Sequence, residues 1–403
     1  MILPFTFASI PHIVFGAGSI AKIGELSARF GDSVLLITGG GSLKRAGKLD
    51  EITAALHAGG VGYAVLSVAG EPSPDLVDSA VAEFKNEKID AVVAVGGGSV
   101  MDFGKAVSAM LVVGKTDGLS VTEFLEGVGT RMHDGTKVPL IAVPTTSGTG
   151  SEATKNAVLS RIGADGFKKS IRHDNFVPNV ALIDPELTLS CPAEVTAACG
   201  MDALTQLLES YFSTKANPMT DALVLSGIRA VGKSLIAVST KSPRNLSART
   251  SMAYGAVVSG ITLANAGLGL VHGIASVIGG SFDIPHGAAC ANIMGPAMKK
   301  TLEALKEGVP GADEERSKVR WRFARAGALL AGQESVRESD TDEYSRLLIE
   351  TIYRWTELLD IPRLGTYGMK GRDIERLASL SENKNHPVPI SREGIEQILR
   401  ERL

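Results

Sequence analysis

The chain has 403 residues, of which 44% are hydrophobic and 21% charged, as in a soluble globular enzyme and unlike a disordered chain. The net charge of −3 gives no basic field for nucleic acid, and no apolar run appears long enough to predict a membrane span. The three cysteines form no CxxC pair and no secretory signal is recognised, so we expect a cytoplasmic protein. The length suits two domains.

The first part of the chain alternates short apolar runs with amphipathic segments. The predicted strands are 12–15, 34–38, 63–68, 91–95 and 140–143. The predicted helices are 49–56 and a segment that ends at Phe84 and begins at Ser73-Pro74, a cap followed by proline at the first helical position. Such alternation predicts a parallel sheet with helices on both faces. We therefore assign residues 1–185 to an α/β domain.

After Asp184-Pro185 the chain shows helical spacing and few strand-like runs. The predicted helices are 196–212, 218–239, 243–267, 314–331, 342–359 and 371–379. Residues 186–403 are therefore predicted to form an all-helical domain.

A nominal dinucleotide fingerprint, Gly16-Ala17-Gly18-Ser19-Ile20-Ala21, follows the first predicted strand. The fingerprint also requires an acidic residue at the end of the second strand, and Asp32 precedes that strand instead. We therefore expect that this segment does not bind a nucleotide.

Two later turns have the composition of ligand-binding loops. Gly96-Gly97-Gly98-Ser99 joins a predicted strand to a predicted helix, and successive glycine amides there would form an anion-binding nest, or only a tight turn. The run 144–152, PTTSGTGSE, follows the next buried strand and is rich in hydroxyl groups. It could bind a polar ligand at the carboxyl edge of the sheet, or only cap a helix.

Four residues of the second half have the side chains of a metal site. Asp202 and Gln206 are four residues apart on one predicted helix and therefore share a face. His272 and His286 flank a mostly apolar segment that contains Gly279-Gly280, which predicts a helix, a bend and a return. Imidazole is the commonest metal ligand, although ordinary packing is an alternative for each residue alone.

Five segments resemble, in order and spacing, those of iron-containing alcohol dehydrogenases: GGGSVMD (96–102), PTTSGTGSE (144–152), DPELT (184–188), GMDALTQ (200–206) and HG…PHG (272–287). The resemblance covers almost the whole chain. It implies an α/β nucleotide-binding domain followed by an all-helical domain, the fold shared with dehydroquinate synthase. It also implies an NAD or NADP cofactor, Fe²⁺ or Zn²⁺, a small alcohol or aldehyde substrate, and a homodimer.

The resemblance carries roles to individual positions. Gly97, Gly98 and Ser99 would hold the cofactor pyrophosphate, and Lys168, with Lys169 as the alternative, would lie near a ribose. The residues implied along the cofactor are Asp102, Thr145, Thr146 and Ser147. The implied metal ligands are Asp202, His272 and His286, with Gln206 at the fourth position.

Two departures from the family pattern concern the metal and the substrate. The fourth family ligand is usually histidine, and an amide oxygen from Gln206 suits iron or zinc less well. Ser276 stands where some members have a histidine beside the substrate, so no catalytic acid or base is assigned.

A third departure concerns the cofactor. Gly39 ends the second predicted strand, where many members have an aspartate that would repel a 2′-phosphate. Ser42 could donate to such a phosphate, and Lys44 or Arg45 could pair with it. We therefore favour NADP, with a glycine turn beside solvated charges as the alternative.

The resulting prediction is a metal-dependent alcohol dehydrogenase or aldehyde reductase. One alternative is a metal-independent reductase of the maleylacetate reductase type, which Gln206 favours and Asp202 disfavours. The other is a nucleotide-binding protein without catalysis, which His272 and His286 disfavour.

Overall fold

A computed structural model describes residues 4–116, 118–163, 166–307 and 313–403. The chain divides into two compact units after Cys191. The first unit comprises Ala8–Arg161 and Gly166–Cys191, and the second begins at Pro192 and also includes residues 4–7 and 162–163. Residues 186–191, assigned above to the helical domain, belong to the first unit, where Leu187 packs in the core beside the sheet.

The first unit contains a six-stranded parallel sheet in the order β1-β8-β5-β4-β2-β3. Its strands are β1 (His12–Phe15), β2 (Ser33–Gly39), β3 (Gly62–Val68), β4 (Ala91–Gly96), β5 (Leu140–Pro144) and β8 (Val180–Ile183). An antiparallel hairpin is formed by β6 (Asn156–Arg161) and β7 (Phe167–Arg172). The five predicted strands are confirmed within a residue at each end, whereas β6, β7 and β8 were not predicted.

Helices cover both faces of the sheet, as the sequence predicts. They are α1 (Ile23–Ala28), α2 (Ser42–Arg45), α3 (Lys48–Ala58), α4 (Pro74–Phe84) and α5 (Gly98–Thr116). Leu35 and Ile37 of β2 pack in the same core as α4 and α5, while the alternate residues Val34 and Leu36 pack in the same core as α1 and α3. The Ser73 hydroxyl accepts from the Leu76 amide and begins α4 as predicted.

The strand order identifies the edge of the sheet where a ligand should bind. The chain runs outward from β2 to β3, returns to β4 beside β2, and continues to β5 on the other side. The direction therefore reverses between β2 and β4, and ligands of open α/β sheets bind outside the carboxyl ends of strands at such a point. The loops that follow Gly39, Gly96 and Pro144 lie at this edge.

The second unit is helical throughout its described residues. Its helices are α6 (Ala193–Phe212), α7 (Pro218–Ser239), α8 (Leu246–Ala266), α9 (Leu270–Ser281), α10 (His286–Glu307), α11 (Asp313–Leu330), α12 (Thr341–Leu358), α13 (Ile374–Leu380) and α14 (Arg392–Glu401). All six predicted helices are present, although α8 begins three residues late because Asn245, not a residue before Pro243, caps it. The short helix α14 was not predicted.

Among the described residues, one helix is apolar enough to cross a membrane by length and composition alone. This is α7, with a mean hydropathy of 1.5, and the bent pair α8 and α9 passes the same test together. Within the unit, Val224, Ile228 and Val231 of α7 lie in the hydrophobic core, and Asp221 forms an ion pair with Arg322 of α11. These contacts are those of a core helix in a bundle.

Candidate functional site

The glycine turn after β4 has one glycine that is required by packing and one that leaves its backbone open. A Cβ at Gly98 would lie 2.6 Å from the Thr149 side chain, too close for any side chain. A Cβ at Gly97 would meet only Thr146, at 3.6 Å, an ordinary contact. The amides at the start of α5 are therefore approachable from the Gly97 side, as an anion-binding helix N-terminus requires.

The hydroxyl-rich loop lies beside this turn. The Thr145 amide donates to the Gly96 carbonyl at 2.9 Å, which places Thr145, Thr146 and Ser147 next to the glycines. The Ser147 hydroxyl is buried and has no hydrogen-bond partner among the described residues. Buried hydroxyl groups are nearly always satisfied, so a polar ligand is the natural partner for this one. The turn and the loop together fit a nucleotide phosphate.

Asp102 is engaged by protein groups. Its carboxylate accepts hydrogen bonds from the Ser151 hydroxyl and the Val158 amide, the latter at 3.0 Å, and lies 3.2 Å from the Lys105 ammonium. Asp102 therefore links α5 to the hydroxyl-rich loop and to β6. Its placement beside the predicted cofactor segments is as expected, but both oxygens already have protein donors.

Lys168 and Ser99 are linked by a carboxylate that sequence reasoning missed. Glu71 accepts from the Ser99 hydroxyl at 3.2 Å and from the Lys168 ammonium at 2.9 Å. Because neighbouring residues of a strand point to opposite faces, Lys168 faces the glycine turn whereas Lys169 is exposed on the other side of β7. Of the two lysines proposed for the ribose, Lys168 therefore has the position next to Ser99.

The loop after β2 presents the groups expected to select the cofactor. Ser42, Lys44 and Arg45 are exposed on α2, directly after Gly41, whose φ of 100° favours glycine. A Cβ at Gly39 would lie 3.5 Å from Val100, so a side chain would fit there. Lack of space therefore does not explain the glycine at this position.

The first nominal fingerprint is satisfied by the protein itself. The amides of Gly18 and Ile20 donate to the carboxylate of Asp184 at 3.2 and 3.0 Å. A carboxylate of the protein therefore already engages these two amides, which supports the prediction that this segment does not bind a nucleotide.

We expect Gly97→Ala to weaken cofactor binding without destabilising the fold, because its methyl group would make only an ordinary contact with Thr146 but would crowd the side from which a phosphate approaches. A roughly tenfold or greater rise in the dissociation constant is expected from a misplaced phosphate, since each 1.4 kcal/mol is tenfold. Fluorescence titration and thermal denaturation would measure the two effects. Gly98→Ala is the contrasting variant, since its methyl group overlaps Thr149 and should lower stability as well. Unchanged cofactor affinity in Gly97→Ala would contradict this assignment.

The helical unit brings four possible metal ligands together: Asp202, His272, His286 and Cys290. Asp202 is on α6, His272 is in the first turn of α9, and His286 begins α10 with Cys290 one turn later. One ligand atom from each lies within 4.8 Å of all the others. Helix α9 ends at Ser281, so the predicted bend lies at 282–285 and not at the glycine pair.

The spacing of these atoms suits a single ion. Nε2 of His272 lies 3.3 Å from Oδ1 of Asp202, and Nε2 of His286 lies 3.9 Å from the same oxygen. The Cys290 sulfur lies 3.7 Å from each of the two imidazole nitrogens. With metal–ligand bonds of about 2.0–2.3 Å, the corners of a tetrahedron are roughly 3.3–3.8 Å apart. The donor set therefore fits a divalent metal.

Gln206 lies beside this cluster with both ends of its amide hydrogen-bonded to protein. Its Nε2 donates to Oδ2 of Asp202 at 2.9 Å, and its Oε1 accepts from the Ser259 hydroxyl at 2.7 Å. The amide therefore orients the Asp202 carboxylate, and its oxygen is directed to Ser259. Gln206, predicted as the fourth ligand, is thus not among the four clustered residues, whereas Cys290, which was not predicted, is one of them. The position of Cys290 one turn after His286 on the same helix is the sequence signal for it.

A second carboxylate orients His272. Oε2 of the buried Glu209 lies 2.7 Å from Nδ1 of His272, and Oε1 accepts from the Val271 amide. This pairing leaves Nε2 of His272 directed to the cluster, the arrangement by which carboxylates fix metal-binding histidines. Burial opposes the charged form of Glu209, but the hydrogen bond and charge of His272 outweigh it and lower the pKa of the carboxyl.

The surroundings also shift the pKa values of Asp202 and Cys290. Burial alone would raise the pKa of Asp202, but the neighbouring imidazoles of His286 and His272 outweigh burial, so that the pKa is lowered overall. Burial raises the pKa of the Cys290 thiol to about 11. A coordinated cation reverses that preference, because a thiol bound to a metal loses its proton.

We expect Glu209→Gln to lower metal affinity by about 10–100-fold, the usual effect of removing an outer carboxylate from a ligand histidine. The amide keeps the size of the side chain but cannot accept from the Val271 amide and the His272 ring as a carboxylate does. Competition with a chromophoric chelator would measure the affinity. Glu303→Gln on the same unit changes a partly exposed partner of Lys300, and this control should leave the metal affinity unchanged.

The Ser276 hydroxyl donates to the His272 carbonyl at 2.7 Å. The hydroxyl proton of Ser276 is therefore used in a hydrogen bond within α9, and no catalytic acid or base is assigned at this position.

A family model of iron-containing alcohol dehydrogenases matches residues 11–185, and the model of the C-terminal part of Fe-containing alcohol dehydrogenases matches residues 196–403. The chain belongs to the iron-containing alcohol dehydrogenase family. It is accordingly an oxidoreductase that couples a nicotinamide cofactor to an alcohol or its carbonyl product. The predicted fold, an α/β domain followed by a helical domain, is confirmed.

Individual relatives agree with the family. The chain is 37% identical over 374 residues to long-chain-alcohol dehydrogenase 1 of Geobacillus thermodenitrificans, covering 92% of this chain and 88% of the relative. It is 30% identical over 370 residues to the NAD-dependent methanol dehydrogenase of Bacillus methanolicus, covering 91% of each. The crystal structure of a 1,3-propanediol oxidoreductase matches all of both chains with a TM-score of 0.85 and 30% identity.

Proposed function

We propose that this protein is a metal-dependent dehydrogenase that interconverts a small alcohol and its aldehyde or ketone, with NADP(H) preferred over NAD(H). The observation that carries the metal requirement is the cluster of Asp202, His272, His286 and Cys290, of which only His286 is partly exposed. A carboxylate, two imidazoles and a thiol with tetrahedral spacing are the side chains of a transition-metal site. A bound divalent ion would polarise the substrate carbonyl and stabilise the alkoxide, and the nicotinamide would exchange the hydride.

The residues of the chain give this chemistry its orientation. Glu209 holds His272 so that Nε2 is presented to the cluster, and Gln206 holds the Asp202 carboxylate from the other oxygen. Both supporting groups are buried, so water competes little for these hydrogen bonds. A ligand set fixed in this way does not have to be rearranged when the substrate binds.

The preference for NADP rests on the loop after β2. Gly39 supplies no carboxylate to repel a 2′-phosphate, and Lys44 and Arg45 form no ion pair with the described residues. Two cations that have no ion-pair partner in the described part of the chain, beside an exposed serine hydroxyl, would pair with a 2′-phosphate at little cost. The NAD dependence named for the Bacillus methanolicus relative makes NAD the alternative.

Steady-state assays with NADP(H) and NAD(H), before and after chelation, test this proposal. We expect turnover of short alcohols or aldehydes that is lost with chelator and restored by Fe²⁺ or Zn²⁺, and a higher kcat/KM with the phosphorylated cofactor. Full activity in metal-free protein would instead favour the metal-independent reductase. A higher kcat/KM with NAD would reject the cofactor preference alone.

We also propose a reducing compartment, such as the cytoplasm. None of the three cysteines, all of which lie within the described residues, forms a disulfide, and Cys290 can bind a metal only as a thiolate.

A further inference from the structure

We propose that Cys290 supplies the fourth protein ligand of the metal, in place of the family histidine that Gln206 replaces. The proposal rests on the metal-dependent function above and names a ligand set of one carboxylate, two imidazoles and one thiolate. All of the residues involved lie in the helical unit.

First, both polar atoms of the Gln206 amide are hydrogen-bonded to other side chains. Its amide nitrogen donates to Asp202, and its oxygen accepts from Ser259 of α8. Exchanging the amide oxygen and nitrogen would break the bond to Asp202 and bring two acceptors, the amide oxygen and Oδ2 of Asp202, face to face. A buried polar group left unsatisfied costs about 1–3 kcal/mol, so this exchange is unfavourable.

The second step is that Cys290 already occupies a ligand position. It is fully buried, and its sulfur is equidistant, at 3.7 Å, from the two imidazole nitrogens that face the cluster. A sulfur ligand and a nitrogen ligand of one tetrahedral ion are separated by roughly 3.5 Å when the bonds are about 2.3 and 2.0 Å. The geometry therefore needs only a small adjustment of rotamers to close around an ion.

The third step is that α10 fixes Cys290 and His286 together. The two residues are one turn apart and therefore face the same side of α10. When the metal binds, the sulfur–metal bond forms and the thiol proton leaves to solvent. Thiolate is a softer ligand than imidazole, so Cys290 should make the site more favourable for Zn²⁺ than a histidine at this position would.

Cobalt substitution tests the inference through an optical signal that does not depend on activity. The intact protein is depleted of metal, loaded with one equivalent of Co²⁺, and its absorption spectrum is recorded. We expect a near-ultraviolet thiolate-to-cobalt charge-transfer band in the parent and its complete loss in both Cys290→Ser and Cys290→Ala. The matched control Cys191→Ser, which changes a cysteine of the first unit, should retain the band.

The outcomes separate this inference from the proposed function. Stoichiometric cobalt binding with visible ligand-field bands but no charge-transfer band would overturn the thiolate ligand and leave the metal-dependent function standing. A charge-transfer band that persists in both Cys290 variants would also overturn it. Failure of the parent to bind cobalt, zinc or iron at all would overturn the proposed function and the ligand set together.

Discussion

Replacing Asp202 with asparagine is expected to remove the metal and reduce kcat/KM by about a thousandfold. Asp202 is the only carboxylate among the four clustered residues, it is buried, and its Oδ1 lies within 3.9 Å of both ligand imidazoles. Polarisation of the substrate oxygen by a metal is worth several kcal/mol, and about 4 kcal/mol corresponds to a thousandfold change in rate. Elemental analysis and steady-state kinetics on the same preparation would measure both losses.

The fold of this variant should survive. Asparagine has the shape of aspartate and can still accept the hydrogen bond from Gln206, so the contact between the two side chains is retained. Asp342→Asn, which removes an exposed partner of Arg320, is a control for the same chemical change and should leave metal content and activity intact. Stoichiometric metal and undiminished turnover in Asp202→Asn would reject the site.

The sheet was predictable because its central strands are buried on both faces. Ser33–Gly39, Ala91–Gly96 and Leu140–Pro144 are almost continuous apolar runs, the pattern that parallel strands between two helical layers require. The hairpin strands β6 and β7 lack this pattern, since β7 carries Lys168 and Lys169 in a six-residue strand. Short strands of mixed polarity contain too few positions for their period to be recognised.

The glycine turn and the hydroxyl-rich loop were found because each directly follows a predicted strand. Their neighbour Glu71 was not, because its contacts with Ser99 and Lys168 join positions that only the folded chain brings together. The same limit applies to Asp102, whose carboxylate has partners on two other elements. Sequence gives the edge of the sheet at which a ligand binds, and tertiary contacts decide which side chains remain available to it.

In the metal site, too, some side chains could be predicted from the sequence, whereas others depend on tertiary contacts. Resemblance to the family located Asp202, His272 and His286, but the orientation of the Gln206 amide depends on Ser259, a residue of another helix. The spacing along α6 would have predicted Glu209, because residues 202, 206 and 209 recur at helical spacing and share one face of that helix. The contact of Cys290 with His286 was also available from spacing along α10, whereas its contact with His272 was not.

The glycines that follow the two ligand histidines lead to the second large expected effect. A Cβ at Gly273 would overlap the carbonyl oxygen of Glu382, and a Cβ at Gly287 would overlap the carbonyl oxygen of Ala198 on α6. Backbone cannot move aside as a side chain can, so Gly273→Ala should shift α9 and lower the free energy of unfolding by about 2–3 kcal/mol. His272 adjoins the shifted residue, so metal affinity should fall as well.

Denaturant unfolding and metal content of the folded fraction would measure these two effects in Gly273→Ala and Gly287→Ala. Gly371→Ala is the matched control, because no atom lies within 4 Å of a Cβ at that position and its φ is not positive. The control should be as stable as the parent or slightly more so, since alanine restricts the unfolded chain. If Gly273→Ala were as stable and as fully metallated as the control, close approach of the backbone at Glu382 would not be what positions His272. We expect Gly273→Ala to be less stable and less fully metallated than the control, because α9 can approach the Glu382 carbonyl this closely only where residue 273 has no side chain.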